Sequence, residues 1–152
     1  MTILEYCTEE VERQGHDLKT TDGVWRVAWM MDAWMESKIE WYAEVALTVD
    51  FIEMLGRRIE PVKNKNGFRH CAIWVGDMEK LHPSLIREAL SQLVQQQDSY
   101  EAFDFYREFE RIHPFIDGNG RVGKILLNWK LGRLHYPVFP PDDFWGRKIK
   151  NP

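Results

Sequence analysis

Residues 113–124 of the chain read HPFIDGNGRVGK. These twelve positions hold a histidine, a carboxylate, two glycines on either side of an asparagine, and two cations. The stretch also separates two segments with the residue periodicity of helices. It is therefore the junction between two helices joined by a glycine-rich turn, and the polar residues lie in that junction.

The segment before the junction has the pattern of a helix over residues 100–112. Apolar residues at 102, 106 and 109 recur at helical intervals, and His113 continues the same row. Asp98 and Glu101 have the spacing of a capping box at the start of this helix. Pro114 disfavours helical geometry in the residue before it, so we expect the helix to end at His113.

The segment after the junction carries apolar residues at 122, 125, 126, 129, 131 and 134. They fall on more than one helical face, which is typical of a helix buried on all sides. The glycine-rich turn then lies at the N-terminus of a central buried helix. Unpaired backbone N–H groups and a partial positive charge make such a terminus a binding site for anions.

The side chains of the junction suit a nucleotide. Gly118 and Gly120 allow the backbone to approach a phosphate closely. Arg121 and Lys124 can point in the same direction, and a bound polyphosphate would offset their conflict with the helix dipole. The remaining two candidates are Asp117, an oxygen ligand for Mg²⁺, and His113, a general base that titrates near neutrality.

The stretch resembles the signature of the Fic family, His-x-Phe-x-Asp/Glu-Gly-Asn-Gly-Arg-x-x-Arg, with Lys124 in place of the last arginine. The likeness continues outside it. Residues 67–69 and 73–76 resemble the family's flap hairpin, and residues 126–128 and 136–137 resemble the run that follows the motif. It extends from about residue 40 to residue 140.

The resemblance implies a mainly α fold over a single domain, residues 1–152. The expected architecture is a helical bundle with a central buried helix and a small β-hairpin flap near the active site. The expected boundaries are N-terminal helices over about 1–58, the flap over about 66–76, the motif helices over about 99–135 and a C-terminal tail over 136–152.

The resemblance also implies an activity, the transfer of AMP from ATP to a Tyr, Thr or Ser hydroxyl of a target protein. ATP would be the co-substrate and Mg²⁺ the metal ion. The roles implied are general base for His113, Mg²⁺ ligand for Asp117, phosphate cradle for Gly118, Asn119 and Gly120, β-phosphate contact for Arg121, and γ-phosphate contact for Lys124.

Lys124 keeps the charge of the family's arginine but loses its two-pronged donor geometry, so we expect a lower nucleotide affinity. Two alternatives follow. The chain is a nucleotide- or partner-binding module with little turnover, or it transfers another group such as UMP, phosphate or phosphocholine. The intact Gly-Asn-Gly core disfavours phosphate transfer.

A strand is expected over residues 68–75, between the turn residues at 66–67 and 76–77. An isolated hairpin is marginally stable unless something packs on it. The resemblance supplies a partner, because a loop of the target protein would add along this edge as a strand. The docking residues would be Phe68, Arg69, Ile73, Trp74 and Val75. The alternative is a purely structural hairpin.

Built-in inhibition is not expected. Many members of the family carry an inhibitory helix with the pattern Ser/Thr-x-x-x-Glu-Gly/Asn, which this chain lacks; the nearest stretches run from Thr8 to Glu12 and from Ser84 to Glu88. Three alternatives stay open: an unrestrained enzyme, a separate antitoxin or inhibitor protein, and a degenerate inhibitor at Thr8–Glu12.

Further helices are expected over residues 2–14, 24–35, 37–55 and 83–95, with Ser37 capping the third and Gly56 closing it. We interpret the Trp and Met residues of 24–35 as core rather than as a partner surface.

Composition narrows the class of protein. A net charge of −4 argues against a dominant nucleic-acid role. Two cysteines are too few for a disulfide framework. Neither a signal peptide nor a membrane-spanning run is apparent. We therefore expect no membrane association and a cytoplasmic location, with delivery into another cell left open.

Overall fold

A computed structural model describes residues 1–145 of the chain. Within them lie six α-helices, two 3-10 turns and one hairpin. The elements are α1 (Ile3–Arg13), α2 (Thr21–Tyr42), α3 (Val49–Ile59), β1 (Trp74–Val75), β2 (Met78–Glu79), α4 (Ile86–Gln95), α5 (Ala102–Ile112) and α6 (Asn119–Leu131), with 3-10 turns at Pro83–Leu85 and Gln97–Ser99. The mainly α fold with a small hairpin is confirmed.

Helix α6 lies at the centre of the molecule. All of its residues from Asn119 to Trp129 are buried, and α2, α3 and α5 pack around it. It ends at Gly132, whose left-handed backbone (φ 67°) allows the chain to turn away. The apolar residues on several faces thus correctly predicted a central helix, because such a helix is stable only when neighbours cover each face.

The N-terminal helices differ from those expected at 24–35 and 37–55. Helix α2 continues unbroken through Ser37, which is buried and donates a hydrogen bond from Oγ to the Ala33 carbonyl at 2.9 Å. A serine that bonds back within its own helix does not interrupt it. Gly56 likewise lies inside α3 instead of closing it.

Helix starts are capped by threonine in the N-terminal half of the chain. The side chains of Thr2, Thr20 and Thr48 each accept a backbone hydrogen bond from the first turn of α1, α2 and α3. The capping box expected from Asp98 and Glu101 does not form. Glu101 is the N-cap of α5 without a side-chain hydrogen bond, and Asp98 belongs to a separate 3-10 turn.

The Trp- and Met-rich segment of α2 is core on one side only. Met30 and Trp34 are fully buried, whereas Trp25 and Met35 are about half exposed. The interpretation of the whole segment as core is therefore wrong for its outer face. Hydrophobicity on both faces of this helix does not reveal which face has neighbours.

The hairpin is shorter than expected and lies later in the chain. Trp74 pairs with Glu79 and Val75 with Met78, around a turn that contains Gly76 (φ 64°). The strand predicted over 68–75 is thus formed only at its C-terminal end. The predicted tail, 136–152, falls within the described residues only as far as 145. Among the described residues, no helix combines the length and the apolar character needed to cross a bilayer.

Candidate active site

His113 ends α5 in a strained backbone conformation. Its φ of 52° and ψ of 62° are left-handed, which residues other than glycine rarely adopt. The helix ends at His113 as predicted, but the backbone is left-handed where Pro114 predicts an extended one. Such strain persists only where surrounding contacts hold the backbone in place.

Arg69 makes those contacts. Its guanidinium donates to the carbonyls of Ile112 (3.3 Å) and His113 (2.7 Å) at the end of α5. It also donates to the carbonyls of Cys71 and Leu81, on the two sides of the hairpin base. With an exposure of 2%, Arg69 has no surface to offer a docking target. It ties the hairpin to the histidine instead.

The His113 imidazole is almost buried, with an exposure of 7%. Burial, together with the positive charges of Lys80 and Arg69, lowers the pKa of His113 to about 4. The carbonyl of Glu110 acts in the opposite direction on this pKa, but makes no well-formed hydrogen bond and leaves Nδ1 without a partner. The ring is therefore neutral near pH 7 and can accept a proton.

Asn119 holds the junction loop in shape. Its Oδ1 accepts a hydrogen bond from the Phe115 N–H, and its Nδ2 donates to the Phe115 carbonyl, both at 2.9 Å. Phe115 itself is fully buried, as expected of a core anchor. The Asn119 side chain thus braces the loop from within, which differs from the expected phosphate cradle.

The first turn of α6 has backbone donors that no side chain caps. Gly118 is the N-cap, with a φ of 81°, and a Cβ there would lie 2.6 Å from the Ile59 side chain. Gly120 follows in the first turn. The uncapped N–H groups of this turn are the donors at which the glycine-rich stretch predicts an anion.

Arg121 lies beside this turn with an exposure of 1%. Its Nη2 contacts Glu60 Oε1 at 2.9 Å and Asp117 Oδ1 at 3.5 Å. Its Nε and Nη1 have no partner. A buried cation with two unpaired donors is suited to bind an anion.

Asp117 is ionised and partly open to solvent. Partial burial alone would raise the pKa of Asp117, but the hydrogen bond from Lys63 (2.8 Å) and the charge of Arg121 together hold this pKa below its usual value. His16, Glu60 and Asp117 each offer one possible metal-ligand atom, and these three atoms lie within 4.8 Å of one another. Both carboxylates are paired with cations in this structure, Glu60 with two guanidinium groups and Asp117 with Lys63 and Arg121, and Asp117 is the more exposed of the two.

Lys124 points away from the first turn of α6 and towards α1. It is fully buried, and its Nζ contacts Glu10 Oε2 of α1 at 3.1 Å. Glu12, the glutamate of the candidate inhibitor stretch, is exposed. The structure therefore brings Asp117, Gly118 and Arg121 together at one end of α6 and directs Lys124 elsewhere.

The charged loop after α3 supports the junction, which the sequence did not indicate. Asn64 donates from Nδ2 to the carbonyls of Asp117 (2.8 Å) and Gly56 (3.0 Å). Glu60 and Lys63 of this loop contact the junction side chains directly. The only signal in the sequence was a run of charges, and this run has no spacing that would place it at the site.

The hairpin presents apolar side chains to solvent. Trp74 is 60% exposed, and Ile73 and Val75 are partly exposed. Phe68, in contrast, is buried and packs on the Phe115 ring. Of the five residues expected to dock a target, the three nearest the hairpin turn are accessible.

Comparison with known proteins is consistent with these features. A family model described as "Fic/DOC family" matches residues 46–131. A "Fido domain-containing protein" of Dictyostelium discoideum is 35% identical over 83 residues, 48% of this chain and 57% of that protein. A "Probable protein adenylyltransferase" of Aquifex aeolicus is 47% identical over 49 residues, 30% of this chain and 15% of that protein.

A third relative, "Protein adenylyltransferase Fic" of Drosophila erecta, is 31% identical over 110 residues, 62% of this chain and 21% of that protein. The three matches thus span between 15% and 57% of the relatives' own lengths.

Proposed function

The chain belongs to the Fic/DOC family, and from this premise we propose that it is a protein adenylyltransferase. It transfers AMP from ATP to a Tyr, Thr or Ser hydroxyl of a target protein. The observation that carries the proposal is the α5–α6 junction. There a neutral histidine, His113, ends α5. Helix α6 begins with an uncapped N-terminus, beside which Arg121 has two guanidinium nitrogens without a partner.

In the proposed reaction, the target hydroxyl loses its proton to the His113 imidazole as its oxygen attacks the α-phosphorus of ATP. The bond from that phosphorus to the bridging oxygen breaks, and pyrophosphate leaves. AMP stays on the target as a phosphate ester. The lowered pKa of His113 leaves the imidazole unprotonated, and so able to accept a proton, before the reaction.

We assign the phosphates to the start of α6. Arg121 would pair with the β-phosphate through its unpartnered nitrogens. The backbone N–H groups around Gly118 and Gly120 would stabilise the charge that develops at the phosphorus. The Asn119 side chain supports these donors by fixing the loop. This proposal gives Lys124 no contact with the nucleotide while it is paired with Glu10.

Asp117 would hold Mg²⁺ beside the α- and β-phosphates. When bound there, the ion neutralises phosphate charge and helps to orient the leaving group. Lys63 is paired with the Asp117 carboxylate, and its side chain is about half exposed, so it can move aside without disturbing the core. Asp117→Asn should therefore reduce the Mg²⁺ dependence of nucleotide binding.

We propose that the target docks on the hairpin. A strand of the target would pair with an edge of the β1–β2 sheet, main chain to main chain. Trp74 and its neighbours Ile73 and Val75 would contact side chains of the target. Arg69 joins the open end of this hairpin to the His113 carbonyl, so a segment docked on the hairpin would lie near the His113 imidazole, the proposed general base.

One observation favours a second candidate function, a nucleotide-binding module with little turnover. Helix α1 covers Lys124, and Glu10 satisfies its charge in the interior. In this arrangement a γ-phosphate finds no cation at position 124. A separate inhibitor protein would not be needed to keep such a site inactive.

The experiment is a labelling assay with α-³²P-ATP and Mg²⁺ in a cell lysate and with the protein alone. We expect the wild type to label a protein band and His113→Ala to abolish the label while it binds ATP as tightly as the wild type. His135→Ala is a control outside the site. UTP, CTP and GTP run in parallel, to identify the transferred nucleotide.

Label from none of the four nucleotides, in the wild type and in Glu10→Gln alike, with ATP still bound in calorimetry, would reject the transferase in favour of the binding module. Equal loss of labelling and ATP binding in His113→Ala would reject the role of His113 as base.

A further inference from the structure

Glu60 is a buried carboxylate between two guanidinium groups. It lies at the C-cap of α3 with an exposure of 1%. Its Oε1 accepts hydrogen bonds from Arg26 Nε at 2.8 Å and from Arg121 Nη2 at 2.9 Å. Breaking a buried charged pair of this kind is strongly unfavourable, so Glu60 and Arg121 hold each other in a defined geometry.

Glu60 satisfies only part of Arg121. It takes one nitrogen of the guanidinium and leaves Nε and Nη1 buried without a partner. Buried donors without acceptors are costly, which points to a ligand that completes them. Glu60 therefore anchors Nη2 of the guanidinium and leaves its other donors, Nε and Nη1, available.

The charges around Arg121 are also unbalanced, because the cations outnumber the carboxylates. Three cations, Arg26, Lys63 and Arg121, face two carboxylates, Glu60 and Asp117. The group keeps one net positive charge beside the uncapped N-terminus of α6. Glu60 thus reduces the repulsion between Arg26 and Arg121 without cancelling the attraction for a polyphosphate.

We infer that Glu60 is a positioning residue for Arg121, held in place by Arg26, and that together they prepare Arg121 to bind the β-phosphate of the nucleotide. The inference rests on the proposed function for the identity of the ligand. Arg26 belongs to α2, outside the part of the chain that the family model matches. Helix α2 therefore contributes to the proposed nucleotide site through Arg26.

The physical reason is preorganisation. An arginine side chain has many rotamers, and ordering it on binding lowers affinity. Glu60 orders Arg121 before the nucleotide arrives. If Glu60 acted instead as an internal anion that competes with phosphate, its removal would strengthen binding. The two roles thus predict changes of opposite sign.

The test compares Glu60→Gln with the wild type by calorimetry, using ADP, AMP and pyrophosphate as probes. We expect the affinity for ADP and pyrophosphate to fall about tenfold, the scale of one charge-assisted hydrogen bond. AMP has no β-phosphate, so its affinity should change less than twofold. In an Arg121→Ala background, Glu60→Gln should have no further effect, because Glu60 acts through Arg121.

Asp32→Asn is the matched control, because Asp32 is an exposed carboxylate on α2 paired with another arginine, Arg58. It should leave all three affinities unchanged. If Glu60→Gln does not fold, as judged by circular dichroism, Arg26→Gln replaces it, with a smaller loss of ADP affinity expected.

Three results would overturn the inference: tighter ADP binding by Glu60→Gln, an equal loss for AMP and ADP, or an effect that persists in the Arg121→Ala background. A wild type that binds pyrophosphate but no adenine nucleotide would reject the proposed function alone, and the pyrophosphate series would still test Glu60. Binding of none of the three probes would reject both the inference and the proposed function.

Discussion

Glu110 is fully buried one turn before His113, and neither of its carboxylate oxygens has a hydrogen-bond partner. Burial raises the pKa of Glu110 to about 8, with the charge of Lys124 pulling the other way. A Cβ on Gly123 would lie 2.1 Å from Glu110 Oε1, so α6 approaches this carboxyl closely. The carboxyl is therefore protonated in the folded protein at neutral pH.

The first prediction concerns stability against pH. Between the unfolded pKa of 4.5 and the folded pKa of about 8, the folded state binds one more proton at Glu110 than the unfolded state does. The free energy of unfolding should thus fall with rising pH, by about 1.4 kcal/mol per pH unit from this group. Glu110→Gln should remove this slope.

The measurement is urea unfolding between pH 6.5 and pH 8. In this window the His113 imidazole is neutral in the folded state but still titrates near pH 6.5 in the unfolded state, which adds an opposing slope that the wild type and Glu110→Gln share. Asp104→Asn, an exposed substitution on the same helix, should keep the slope of the wild type. An unchanged slope in Glu110→Gln would show that Glu110 is ionised in the folded protein.

At the scale of elements, the hairpin and α5 are joined through one side chain. Arg69 donates to carbonyls at the end of α5 and on both sides of the hairpin base, so its orientation couples the two. A left-handed His113 needs such a restraint, because its backbone conformation is unfavourable by itself. Arg69 is thus a positioning residue for the proposed base.

The second prediction follows from this coupling. Arg69→Lys keeps the charge but cannot reach four carbonyls, so His113 should lose its fixed orientation. We expect the rate of labelling at saturating ATP to fall about tenfold to a hundredfold, because small misplacements of a catalytic group are costly. ATP affinity should be unchanged.

The check combines labelling rates with ATP calorimetry. His70→Ala, at the exposed neighbouring position, is the control and should behave as the wild type. A parallel loss of ATP affinity in Arg69→Lys would mean that Arg69 supports the whole junction and not His113 in particular.

A second contact between elements fixes α1 on α6. Glu10 and Lys124 are both fully buried, and Oε1 of Glu10 has no partner. This pair holds α1 over Lys124, which lies away from Arg121 and the proposed phosphate site. One oxygen of Glu10 is unsatisfied, but breaking a buried ion pair is strongly unfavourable, so the pair keeps α1 packed over Lys124.

The third prediction tests whether α1 restrains the proposed activity. Glu10→Gln keeps the shape of the side chain but leaves Lys124 without a counter-ion, and should destabilise the fold by about 3 kcal/mol. If α1 is a restraint, the labelling rate should rise in spite of this loss. Denaturant unfolding and labelling are measured together, with Glu9→Gln on the same helix as the control. A fall in both quantities would make the pair purely structural.

At the scale of the whole molecule, the site depends on how closely α3 approaches the junction. A Cβ on Gly56 would lie 2.1 Å from the Phe115 ring, and a Cβ on Gly118 would meet Ile59 of the same helix. Asn64 then connects the loop after α3 to the Asp117 carbonyl. The end of α3 is therefore the support on which the glycine-rich turn is built.

The fourth prediction is that Gly56→Ala destabilises the protein by about 1–3 kcal/mol, because a methyl group overpacks this contact. The displaced Phe115 should also move the junction, so nucleotide affinity should fall. Thermal unfolding and ATP calorimetry measure the two effects. Arg57→Ala, at the next and more exposed position of α3, serves as control. A variant as stable as the wild type would contradict the close approach.

The sequence by itself determined the parts that depend on neighbouring residues. It predicted the end of α5 at His113, the glycine-rich turn, the buried helix that follows and the family, which the family match confirms. Helical periodicity and turn chemistry act over a few residues, so they can be identified along the chain. The predicted helix boundary at Ser37 was wrong, because the Ser37 hydroxyl forms its hydrogen bond inside the helix.

Only the tertiary structure decided which distant residues meet at the site. Arg26 reaches Glu60 across 34 positions, Asn64 reaches Asp117 across 53, and Glu10 reaches Lys124 across 114. No local pattern encodes such pairs, because they depend on which helix faces pack together and at what distance. The same packing turned Arg69 inward to His113 and hid Lys124 from the anion site.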